Sequence, residues 1–150
     1  MQVAEGRMGR VFTLRLEDGD RLPESIESFA AEHGVECALV ALLGGAGDGS
    51  RLVVGPEPDR GQGIVPMIHI LAGSQEIAAM GTLFPDESGR PVLHMHAALG
   101  REGKATVGCT RAGVKVWLGG EAVVMEILGT QGVRRKDPET GFQLLQFDAR

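Results

Sequence analysis

Leu93-His94-Met95-His96-Ala97-Ala98-Leu99-Gly100 reads as a β-strand, and it sets the terms for the rest of the chain. Side chains alternate between the faces of a strand, so His94 and His96 share a face with their Cα atoms about 7 Å apart. If the chain reverses through Arg101-Glu102-Gly103-Lys104, the strand starting near Ala105 returns antiparallel and carries Cys109 toward the histidine pair. Two imidazole nitrogens and a sulfur form a ligand set suited to zinc, with a fourth position left for water or another group. A second reading stays open beside it. Strand histidines often pack neutrally with one hydrogen bond, and a Gly-Cys pair on a strand is often a small buried hydrophobe.

Upstream of this hairpin the chain reads as strands and one helix. Between Gly9 and Glu17, Val11, Thr13 and Arg15 alternate with Phe12, Leu14 and Leu16, so the even positions face a core. Asp18-Gly19-Asp20 is a turn; Asp20 as N-cap and Pro23 in the first turn predict a helix from Arg21 to His33. Leu22, Ile26, Phe29 and Ala30 form its buried stripe, Gly34 stops it, and His33 meets the C-terminal dipole. Val35 to Leu43 is nearly continuous apolar sequence, as expected of a strand covered on both faces. Gly44 to Ser50 reads as a glycine-rich turn between strands. It is a weak phosphate cradle, because no Gly-Lys-Ser/Thr follows and Arg51 to Val54 reads as a strand. Gly55 to Gly63 is a surface loop, and Ile64–Leu71 and Glu76–Phe84 are strands, the first holding His69 as a core or sheet-face histidine. Pro85 to Pro91 is a hairpin loop leading into the histidine strand.

Downstream, Val114–Leu118 and Glu121–Leu128 are strands joined by a bulge or kink at Gly119-Gly120, and Trp117 is a packing or interface residue. Glu126 interrupts an apolar run, so it needs a hydrogen-bonding partner or lines a site. The tail is polar from Gly129 until Phe142, Leu144, Leu145 and Phe147, which dock on the body. The segment between is a loop, with Arg134-Arg135-Lys136 solvated ahead of Asp137. No linker or internal repeat divides the chain, which reads as one α+β domain over residues 1–150: an antiparallel sheet with one main helix near the N-terminus.

Composition narrows the function classes. The 23 glycines among 150 residues favour a β-rich fold with short connections. No apolar run reaches membrane-spanning length and the N-terminus lacks a signal-peptide pattern, so a cytoplasmic protein with no membrane partner is expected. Cys37 and Cys109 are not spaced as a disulfide framework and are read as reduced. A net charge of −5 repels polyanions and leaves only a local basic patch to favour nucleic acid.

These residues resemble the PPC domain, the module conserved in plants and prokaryotes that accompanies AT-hooks in plants. The resemblance runs from the first strand to about Leu145, and is carried by Glu76-Ile77 with Gly81, His94-x-His96, Gly108-Cys109, Glu126, Arg134, Asp137 and Thr140-Gly141. It implies an antiparallel α+β fold, a homotrimer and, in some prokaryotic members, a metal held by the histidines. Cys109 stands where the family's third histidine would be. A thiolate is an equally good zinc ligand, so the exchange preserves a site in principle.

Three functions compete on this basis. The first is a small homotrimeric protein holding zinc or another divalent transition metal on His94, His96 and Cys109, with a small-ligand or interaction role. The second is a metal-dependent hydrolase or lyase in which Glu76 or Glu126 is the general base. The third is a DNA-binding protein of the PPC type; there is no Arg-Gly-Arg-Pro hook and the charge is negative, so tight binding is not expected. The apolar strands Val35–Leu43 and Ala122–Leu128 also leave much surface for oligomerisation to cover.

Overall fold

The computed structural model describes residues 1–57, 64–138 and 141–147. In chain order the elements are β1 (Arg7–Glu17), β2 (Arg21–Leu22), α1 (Glu24–His33), β3 (Ala38–Ala46), β4 (Arg51–Pro56) and β5 (Pro66–Ile70). There follow β6 (Gln75–Pro85), β7 (Pro91–Arg101), β8 (Lys104–Cys109), a 3₁₀ turn (Thr110–Ala112), β9 (Val114–Leu128), β10 (Gly132–Lys136) and β11 (Gln143–Phe147). A nine-stranded antiparallel sheet runs β1-β9-β3-β6-β7-β8-β4-β5, with β2 beside β9 and β10-β11 as a separate ribbon. With one α-helix against this much sheet among the described residues, the fold is more sheet-dominated than a balanced α+β domain.

The predicted alternation holds closely in β7: Leu93, Met95, Ala97 and Leu99 are buried, while His94, His96 and Ala98 are exposed. The inner face packs under α1, where Leu22, Ile26 and Ala30 join Val40, Leu42, Leu83, Met95, Leu99 and Val124 in one core. Apolar burial of this kind is worth roughly 25 cal/mol per Å², and it fixes which face of every strand turns outward. A second tie comes from the helix itself, since the Leu93 amide donates to the Glu27 carboxylate at 2.8 Å, just before His94.

Several elements differ from the sequence expectation. The helix starts at Glu24, because Arg21 and Leu22 are taken up in pairing with Lys115 and Val114. Asp20 does not cap it; its carboxylate accepts from the Glu17 amide at 2.9 Å and closes the preceding turn. Gly44 and Gly45 lie within β3 and not in a loop. A Cβ on Gly44 would meet the Gly119 carbonyl oxygen at 2.6 Å, so glycine there lets β3 and β9 close beside the register shift between Gly44 and Gly45, which pair with Gly120 and Trp117. The tail segment read as a loop contains β10, paired with β11 from Gly132↔Phe147 to Lys136↔Gln143. Arg134 in that strand is buried instead of solvated. Part of the Gly55 to Gly63 loop, residues 58–63, and Thr140 lie outside the described residues.

Candidate metal centre

The β7–β8 hairpin builds the site through its turn. Glu102 and Gly103 have φ of 54° and 73°, the two left-handed positions of a tight hairpin turn, and this fixes Arg101 opposite Lys104. Counting back along that register sets His96 directly across from Cys109. On the other side β6 closes tightly on β7 because position 81 is glycine: a Cβ there would lie 2.6 Å from the His94 carbonyl oxygen. Behind the site, the buried Thr110 hydroxyl donates to the Met95 carbonyl at 3.3 Å and holds the segment after Cys109 against β7.

His94 and His96 face each other with their Nε2 atoms 3.2 Å apart. Together with the Cys109 Sγ their ligand atoms lie within 4.8 Å of one another, with the histidines exposed and the cysteine buried. Tetrahedral zinc at ordinary Zn–N and Zn–S lengths separates its ligand atoms by about 3.4–3.7 Å, so small side-chain adjustments would bring this set onto one ion. The donor chemistry agrees, since imidazole and thiolate favour zinc and its neighbours over magnesium or calcium. The residues therefore fit a divalent transition metal. Burial pushes the His94 pKa below its ordinary value, and the charges of Arg134, His96 and Arg111 push it the same way, so the ring is held neutral as a ligand must be. Cys37 contrasts with this cluster, because burial and then Glu36 push its thiol up to about 11, where it is inert at neutral pH.

The cluster opens onto a cavity of about 600 Å³ whose lining includes His94, His96, Cys109, Arg111, Arg134 and Phe142. The Arg111 guanidinium stands over the Phe142 ring at 5.6 Å. Arg134 donates from Nε to the Val92 carbonyl at 3.2 Å and from Nη2 to the Thr82 carbonyl and hydroxyl at 2.8 and 2.9 Å. Burial lowers its pKa, an ionised Cys109 opposes that shift, and a guanidinium stays cationic throughout. Neither Arg111 nor Phe142 stands out in the sequence as a site residue. Arg134 has one signal, its place in the family pattern.

The structure does not bring Glu76 or Glu126 to this cluster. Glu76 pairs with Gly100, about 13 Å along the strands from the His96 position. Glu126 lies on β9, separated from β7 by β3 and β6, about 14 Å across the sheet. Its carboxylate is held by Arg10: Nη2 donates at 2.6 Å, Nε at 2.8 Å and the backbone amide at 3.0 Å. Those bonds hold Glu126 down at about 2 despite its burial. The sequence demand for a partner is met by Arg10, whose guanidinium also donates to the His33 and Gly34 carbonyls at the end of α1. His69 is half-buried on β5, outside the cluster, and His33 bonds the Phe29 carbonyl in the last helical turn.

Residues 3–128 match the Plants and Prokaryotes Conserved (PCC) domain. Among solved structures, a metal-containing protein from Archaeoglobus fulgidus is 27% identical with a TM-score of 0.80, covering 97% of this chain and 99% of its own. A plant- and prokaryote-conserved protein from Pyrococcus horikoshii superposes with a TM-score of 0.83 at 23% identity over 100% of both chains. A Ralstonia eutropha protein with a provisional DNA-binding label has a TM-score of 0.69 at 19% identity, covering 91% of this chain and 90% of its own. Those last two likenesses establish the fold alone. A curated relative, the bifunctional protein GlmU of Synechococcus, is 26% identical over 141 residues; the match takes 93% of this chain but 21% of that protein.

Proposed function

This chain belongs to the Plants and Prokaryotes Conserved domain family, and from that premise we propose that it is a homotrimeric protein holding one divalent transition metal ion, zinc by preference, on His94, His96 and Cys109. The observation that carries the reading is the convergence of three donor atoms within 4.8 Å on one face of the β7–β8 hairpin. The metal-containing character of the A. fulgidus protein adds support. A zinc ion with three protein ligands supplies Lewis acidity at an open fourth position. With Glu76 and Glu126 held elsewhere, that position is read as one that binds a small ligand, ahead of a hydrolase or lyase. Two free, buried cysteines suit a reducing compartment such as the cytoplasm. Among the described residues, no helix is long and apolar enough to cross a membrane.

The trimer reading draws on the outer face of the sheet, where Val11, Leu43, Met80, Val107 and Trp117 are exposed. Leu43, Ala78, Ala98 and Val107 form one row across four strands, and the metal cluster lies beside the next row at Met80 and His96. An apolar face of this extent marks a surface that another chain covers. Duplex DNA is not favoured: a net charge of −5 gives no large counterion-release term, and no tight binding is expected at physiological salt.

Metal analysis of untagged, freshly purified protein tests the site. One ion per chain is expected, with most of it lost in His96→Ala and in Cys109→Ala while the β-rich circular dichroism spectrum persists. Binding weakens as pH falls through the range where imidazole protonates. Wild-type protein that carries no stoichiometric metal and takes none up from zinc or nickel at neutral pH overturns the reading.

A further inference from the structure

Arg134 is 3% exposed, and its hydrogen-bonding partners among the described residues are neutral: the Val92 carbonyl and the Thr82 carbonyl and hydroxyl. Among the described residues no carboxylate forms an ion pair with it. A buried charge without a counter-charge is costly, and a guanidinium cannot escape by losing its proton. The same cavity is lined by a second cation, Arg111. Both line it together with His94. The cavity, about 600 Å³, has the size of a small-molecule site, and its walls include Pro56, Ile64, Phe142 and Leu144. It combines two cations with apolar walls.

We propose that this cavity binds a small organic oxyanion, a carboxylate or a phosphate ester. Its charged end is held by Arg134 and Arg111, and its apolar body lies against Phe142, Ile64 and Leu144. Planar guanidinium groups recognise such oxyanions through paired, charge-assisted hydrogen bonds, which a point charge cannot match. The anion supplies the carboxylate-like counter-charge that Arg134 lacks among the described residues. The argument stands on the arginines and the cavity in metal-free protein. It gains from the metal reading, since two neutral imidazoles and one thiolate leave a divalent ion with a net positive charge.

Calorimetric titration of the full chain tests this, on chelator-treated and on zinc-loaded protein, with sodium hexanoate, inorganic phosphate and hexylammonium chloride as probes. Hexanoate, phosphate or both should bind with saturation, and hexylammonium should not. Hexanoate binding alone marks a carboxylate site, and phosphate binding alone a phosphate-ester site. Arg134→Gln should weaken the oxyanion by about tenfold or more, as expected on removing a buried charge-assisted donor. Arg111→Gln, at an exposed position that does not endanger folding, should weaken it several-fold. Metal content is read separately by mass spectrometry. The proposal is overturned if neither oxyanion binds in either form, if hexylammonium binds as well as hexanoate, or if Arg111→Gln binds like wild type. Normal zinc content without oxyanion binding ends this inference alone, whereas oxyanion binding without metal uptake ends the metal reading alone.

Discussion

Met95 and Met80 sit on neighbouring strands of one sheet, yet Met95 is 0% exposed and Met80 is 61% exposed. The difference is one of face. Met95 points into the layer that α1 covers, with Leu83, Leu99 and Val40, whereas Met80 points outward between Ala41 and His96. In β3 the contrast is sharper, because Val40 and Leu42 are buried and Leu43 is 62% exposed within one apolar run. A strand composed for cover on both faces receives that cover on one face from its own chain. The inner face accounts for the fold, and the outer face carries both the His94-His96-Cys109 cluster and the exposed apolar side chains of Leu43, Met80 and Val107.

The largest effect should come from cutting into the inner face. Met95→Ala removes a fully buried side chain between packed neighbours and should cost about 2–5 kcal/mol, read as a lower urea midpoint with an unchanged slope. A loss below about 1 kcal/mol would mean that the inner layer relaxes around the cavity and is not the tight core the burial implies. The outer face should behave differently. Met80→Glu places a charge where the side chain already meets solvent in the single chain, so the far-UV spectrum should persist while light scattering falls from a trimer mass toward a monomer. Wild-type protein that is already monomeric at micromolar concentration breaks the comparison at its outer half.

How much of this was legible in the sequence follows from how local each determinant is. The β7–β8 hairpin depends on a two-residue turn and a period of two, so the facing of His96 and Cys109 could be read from a stretch of 17 residues, Leu93 to Cys109. The start of α1 could not, because Arg21 and Leu22 are claimed by Lys115 and Val114 from far along the chain. The burial of Arg134 was equally hidden. It rests on acceptors 52 and 42 residues away, and nothing in Gly132-Val133-Arg134-Arg135-Lys136 distinguishes the buried arginine from its neighbour. Glu126 lies between these cases: an acid in an apolar run demands a partner, but the identity of Arg10, 116 residues distant, depends on a register shift in β1 between Met8 and Val11.

The smallest effect concerns the one acid among the buried described residues, at the rim of the inner face. Glu126 shares the side of β9 that carries Val124, and its charge is tolerated there because Arg10 and a backbone amide satisfy it. Those bonds lower its folded-state pKa to about 2 from an ordinary value near 4.5. A carboxyl group depressed in this way stabilises the fold fully above its unfolded-state value, and the contribution is lost as pH falls through the folded-state value. The window therefore runs from about 4.5 down to about 2. Arg10 is half exposed, so solvent screening keeps the effect modest. Glu126→Gln should lower the urea midpoint slightly at neutral pH and flatten the acid limb of stability within that window. Because the pair stands about 14 Å from the histidine strand, metal content should not change. An unaltered acid limb would show that the pair adds nothing to the inner face, and a loss of metal would tie Glu126 to the outer face after all.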